Sequence, residues 1–147
     1  MAFKLVKGFD QAQPMYCAAS SAVVKDQLLC FDVSAGAGAA KVIPATASLL
    51  SVNVAGVCQA TPATGDTFVP VIPIVPGQLW EWDTTSATLT THLNKPVDLT
   101  DGLTVANSTT ISTAATAFVK ALENVGATGD KKQRGMILGM NLPKALS

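Results

Sequence analysis

Few side chains in this 147-residue chain can carry acid–base, nucleophilic or metal chemistry. The one histidine, His92, sits between Thr91 and Leu93 in a Thr-rich stretch. A Ser or Cys nucleophile needs a neighbouring base to take its proton, and no G-x-S-x-G elbow is present to present such a serine. Glu81 and Asp83 are two residues apart, so on a strand they share a face. Two carboxylates about 5–9 Å apart are what glycoside hydrolysis uses. The chain has only two glutamates, however, and a charged outer strand face accounts for the pair equally well. Zinc takes about four ligands, usually with close Cys or His pairs. Cys17, Cys30 and Cys58 are an odd number at wide spacing without a C-x-x-C, and are expected to be reduced and buried. Gly36-Ala37-Gly38-Ala39-Ala40-Lys41 lacks the G-x-x-x-x-G-K-[ST] spacing of a phosphate loop and reads as an inter-strand loop. No catalytic, cofactor or metal residue is assigned, and the expectation is a protein that is not an enzyme and has no small-molecule substrate.

Composition narrows the classes further. Ten basic and ten acidic residues balance, and charged residues are 14% of the chain against roughly 25% in an ordinary soluble domain. A neutral chain with a single arginine has no electrostatic footprint for nucleic acid. Hydrophobic residues reach 48%, which argues against disorder. The charge deficit is concentrated in Val42–Trp80, where Asp66 is the only ionised residue. Pro44, Pro62, Pro70, Pro73 and Pro76 interrupt that stretch, so no membrane helix is expected there. The N-terminus lacks an unbroken apolar core of the secretory kind, and synthesis in a cytoplasm is expected.

The elements that must position these residues follow period two rather than 3.6. Strands are predicted at Phe3–Lys7, Leu28–Val33, Ala40–Ile43, Ser51–Cys58, Thr67–Ile74, Gln78–Asp83, around Leu103–Ala106, and in a final hairpin, Ala117–Val125 with Lys132–Met140. Gly56 interrupts the β-branched run Ser51–Cys58 and reads as a bulge or close-packing site. A short helix over Thr113–Glu123, rich in alanine, is the alternative for that segment. Thr84–Pro96 reads as a loop, and Asn141–Ser147 as a fraying tail. The fold class is therefore all-β: a compact barrel or β-tulip or sandwich of short antiparallel strands. Residues 1–14 read as an extended N-terminal arm and 15–147 as one β-rich domain.

Three features suggest interaction. Proline recurs at every third position in Phe68–Pro76, which matches polyproline II periodicity. Because proline cannot donate to a ladder, Pro70 and Pro73 predict an edge strand or a segment covered by a neighbouring subunit. Trp80 and Trp82 face one way and suit a core, a subunit interface or a sugar-binding platform. Phe3, Leu5, Val6 and Phe9 precede a patternless linker, and such a segment is tied down either in its own sheet or on a partner's edge.

Three runs carry a resemblance: G-D-T-F-V-P-V-I-P-I-V-P-G-Q-L-W-E-W-D-T-T (Gly65–Thr85), V-D-L-T-D-G-L-T-V (Val97–Val105) and G-D-K-K-Q-R-G-M-I-L-G (Gly129–Gly139). Together they resemble the head decoration, or cement, proteins of tailed bacteriophages and related small virion structural proteins. The resemblance covers roughly Val52 to Met140 and lies in composition and turn placement. It implies a β-barrel or β-tulip body and frequent trimers. It also implies an N-terminal arm that clamps the capsid lattice, matched in position by Phe3–Phe9, and no active site. The expected partners are the major capsid protein and the chain itself, as a homotrimer, and the expected location is the virion surface. A tail or fibre-associated module, or a carbohydrate-binding β-sandwich using Trp80 and Trp82, are the other readings.

Overall fold

Short β-rich runs bounded by Gly, Pro and Asx turns can bury their apolar side chains only by pairing with one another, and here they form twelve strands. A computed structural model describes residues 3–8, 13–32, 41–46, 53–63, 67–75, 77–88, 91, 93–107, 118–127 and 129–138. The strands are β1 (Lys4–Lys7), β2 (Met15–Ala19), β3 (Leu28–Phe31), β4 (Lys41–Pro44), β5 (Val54–Cys58), β6 (Phe68–Pro73), β7 (Leu79–Thr84), β8 (Pro96–Val97), β9 (Leu99–Asp101), β10 (Thr104–Val105), β11 (Val119–Asn124) and β12 (Lys132–Ile137). No α-helix occurs among the described residues. The helix alternative gives way to β11 at its C-terminal half, while 113–117 lies outside the described residues, as do the glycines of the 36–40 loop, His92 and 141–147.

Strands β2–β6 close into a five-stranded barrel in the order β2-β4-β3-β5-β6. Its closure depends on a short parallel pairing, Ala18↔Lys41 and Ala19↔Val42. The other strands form a seven-stranded sheet in the order β8-β11-β12-β7-β10-β9, with β1 added beside β7. Strands β8 and β9 stand at opposite ends of that order, yet only Asp98 separates them in the chain. The sheet therefore curls until its two ends nearly meet.

Two cores result. Cys17, Val23, Leu29, Val42, Ala55, Cys58, Val69 and Val71 fill the barrel. The second core lies inside the curled sheet and is closed by the outer surface of the barrel: Leu28, Cys30, Val54 and Val57 join Phe3, Trp80, Trp82, Leu99, Phe118 and Ile137 there. Strands β3 and β5 are thus apolar on both faces, which explains why their sequences read as continuous apolar runs rather than alternations. Gly56 makes this possible on β5. Val54 and Val57 serve one core and Ala55 and Cys58 the other, although regular alternation would put Val54 and Val57 on opposite faces. One extra residue, marked by the register jump from Leu29↔Gly56 to Cys30↔Val54, resets the parity. Gly56 is the predicted bulge, with φ +154°.

The edge position expected for the proline run is corrected: β6 lies inside the barrel, hydrogen-bonded to β2 and β5. The prolines are tolerated because their missing donors fall where each neighbour runs out. The nitrogen of Pro70 faces the β5 side, one residue beyond the end of that strand, and its carbonyl accepts the Gln59 N–H at 2.8 Å. Pro73 has the opposite parity and faces the β2 side, ahead of Met15. Its carbonyl accepts from Gln78 Nε2 at 3.0 Å. Strands β2, β8 and β9 have no counterpart among the predicted strands.

Candidate interaction surface

Strand β7 carries both the carboxylates and the tryptophans, and its alternation separates them as the sequence implies. Trp80 and Trp82 point inward. They are 1% and 0% exposed, and Trp82 packs against Phe3 with ring centroids 6.1 Å apart. Each indole N–H, which needs a partner when buried, donates to a buried glutamine: Trp80 Nε1 to Gln78 Oε1 at 3.2 Å and Trp82 Nε1 to Gln133 Oε1 at 3.4 Å. Of the readings for this pair, the structure selects the chain's own core. A sugar-stacking platform needs accessible rings, and these are covered by the chain itself.

The outward residues of β7 meet β12. Arg134 Nε donates to Glu81 Oε2 at 2.8 Å, and Lys132 Nζ lies 3.1 Å from Asp83 Oδ1 and 3.7 Å from Glu81 Oε1. The register Lys132↔Asp83 and Arg134↔Glu81 makes these direct cross-strand pairs. Hydrogen bonding to Glu81 and its charge raise the Arg134 pKa further. Glu81 and Asp83 are bound to cations, an arrangement for holding β7 to β12 rather than for delivering a proton to a glycosidic oxygen.

The N-terminal residues likewise join their own sheet. Lys4 and Leu5 pair with Glu81 and Trp80 of β7. Phe3 is 0% and Leu5 7% exposed within the core, and Val6 is half-buried; Phe9 lies outside the described residues. Of the two destinations open to this segment, the chain's own sheet is the one observed, and Phe3 and Leu5 have no apolar surface left to offer a partner. Pro70 and Pro73 are half-buried.

All three cysteines are free and buried. Loss of solvation raises each thiol pKa, that of Cys30 to about 12. A thiol kept neutral by the fold but free to ionise on unfolding stabilises the folded state below the ordinary thiol pKa. That contribution is lost as pH rises from about 9 towards 12. Urea titrations are expected to show stability falling over that range, with thiol-specific reagents reacting only as the protein unfolds. Stoichiometric labelling of native protein at pH 8 would contradict this burial.

The surface most suited to a partner was missed in the sequence. Tyr16 and Phe68 are 68% and 64% exposed. On the β2–β6 pair, Tyr16 stands opposite Pro70 and Ala18 opposite Phe68, while Cys17 and Val69 between them point into the barrel. Tyr16, Ala18, Phe68 and Pro70 therefore share the outer face of a closed barrel, and that four-residue patch contains no charge. Of the residues proposed for partner contact, Pro70 is the one the fold places there. Phe68 lay within the proline run, but β2 showed no alternation by which Tyr16 could be assigned a face. Comparison with known proteins found no matching family model and no matching curated protein.

Proposed function

We propose that this protein is a non-enzymatic decoration, or cement, protein of a tailed-phage head. It binds the outer surface of the shell as a homotrimer and bridges major capsid protein subunits. The resemblance of Gly65–Thr85, Val97–Val105 and Gly129–Gly139 to that family supports the reading. The observation that carries it is the uncharged patch of Tyr16, Phe68 and Pro70, held on a closed barrel. Exposed aromatics on a rigid support are the residues that anchor protein interfaces. Binding to the shell alone stabilises it by mass action, and bridging several subunits adds avidity without chemistry. Such a protein works through surfaces that mate with neighbours, and charge-poor strands serve that purpose.

Co-sedimentation of the purified chain with expanded, undecorated heads tests the reading. The double substitution Tyr16→Ser, Phe68→Ser is expected to reduce binding strongly, since buried interface aromatics are worth about 2 kcal/mol or more each. Surface changes of this kind leave folding stability within about 0.5 kcal/mol. Absence of wild-type binding, or equal binding by the variant, would defeat the proposal.

A further inference from the structure

A cleft of about 320 Å³ separates β1 from the lip of the barrel. Its floor is apolar, formed in part by Val57, Ile72 and Trp80, and its rim carries Lys4, Lys25 and Asp26. One end is closed by a main-chain bond from the Phe3 N–H to the Asp26 carbonyl, 2.9 Å. Beyond that bond the outer edge of β1 has no neighbouring strand among the described residues. The direction of its amides follows from β7. Thr84 N–H donates to Lys131, towards β12, and Thr85 N–H to Val105, towards β10. Odd-numbered residues of β7 therefore face the β1 side, so Lys4↔Glu81 is the hydrogen-bonded pair and Leu5↔Trp80 is not. The N–H and C=O of Leu5 consequently turn away from β7, into the cleft that Leu5 lines. Among the described residues no ion pair engages Lys4 or Lys25, and both are exposed.

From these observations we infer that the cleft is a peptide-docking site. An extended segment of a partner protein, alternating acidic and apolar residues, adds to the free edge of β1. The Leu5 main chain supplies the ladder contacts of strand addition. The floor takes an apolar side chain, and the two lysines outweigh Asp26 to favour acidic side chains at the rim. The inference does not depend on the partner being a capsid.

The test uses the full chain and two labelled hexapeptides, one alternating Glu and Val, the other Lys and Val. The acidic peptide is expected to bind and to slow hydrogen exchange of the Leu5 amide. N-methylation of its alternate amides, or the exposed charge removals Lys4→Gln and Lys25→Gln together, should weaken binding several-fold, with an unchanged Tm for the variant. Equal affinity for the basic peptide, indifference to N-methylation, or an unchanged Leu5 exchange rate would overturn the inference. So would failure of any peptide to bind by about 1 mM, including the case where sodium decanoate fills the cleft instead.

Discussion

Replacing Phe3 with alanine will destabilise the protein by about 3–5 kcal/mol, and deleting residues 1–8 will cost more. Phe3 is fully buried, packs on Trp82 and ties β1 to the barrel through Asp26. Its truncation leaves a cavity bounded by β7 and the barrel wall, both held in hydrogen-bonded ladders that limit collapse. The deletion also removes Leu5 from the core and bares the edge of β7 between Leu79 and Glu81. For a domain of this size the point substitution alone takes up a large part of the total stability. Urea unfolding followed by tryptophan fluorescence measures it directly, because Trp82 reports the same core. A loss below about 1 kcal/mol would mean that the N-terminal segment is a detachable arm after all. The distinction bears on function: a truncated chain that fails to bind heads says nothing about an arm if it has also lost its fold.

Gly56→Val is expected to cost about 3–5 kcal/mol, the sum of overpacking and backbone strain. A Cβ at position 56 would collide with the Ile72 carbonyl oxygen and lie 2.8 Å from Val71 Cγ1, at a φ of +154° that L side chains rarely adopt. Neither obstacle can withdraw, since β6 is paired on both sides. The substitution can be accommodated only by losing the bulge, which would flip the parity of β5 and turn one core's residues towards the other. Thermal unfolding should show the loss, and exchange of the Leu28–Cys30 amides, opposite the bulge, should rise with it. A Tm within 2–3 °C of wild type, under about 1 kcal/mol for this size, would show that β5 does not need the extra residue. Gly135 makes a useful comparison: its Cβ would meet Ala121 Cα at 2.8 Å and Trp82 Cη2 at 2.9 Å, but without a left-handed backbone.

How much of this was legible beforehand depended on which physical signal each element carries. Strand β7 was readable residue by residue, because a half-buried strand writes its two faces as alternation: tryptophans in, carboxylates out. Gly56 was readable because glycine inside a β-branched run has few other uses. Strand β2 was not, since Met15–Ala19 mixes small and polar residues with one exposed aromatic and so lacks a periodic pattern. Strands β8 and β9, two and three residues long, exist only because β11 and β10 lie beside them. The proline run was misplaced for a definite reason. Proline's missing donor argues for an edge only if a neighbouring strand extends past it, and the lengths of β2 and β5 are not a property of β6. Tyr16 was invisible as a surface residue because its exposure is set by the strand register.

Local chemistry alone therefore determined the all-β class, the parity of β7, the bulge, the buried thiols and the neutral charge balance. These follow from side-chain period, backbone freedom and counts of charge. The tertiary structure decided which apolar surfaces remain uncovered. It drew Phe3, Leu5, Trp80 and Trp82 into the chain's own core, placed Pro70 beside Tyr16 and Phe68 on an open face, and turned the Leu5 amide into the cleft between β1 and the barrel. Burial is a property of pairs of surfaces, and a sequence holds only one member of each pair until the strands have met.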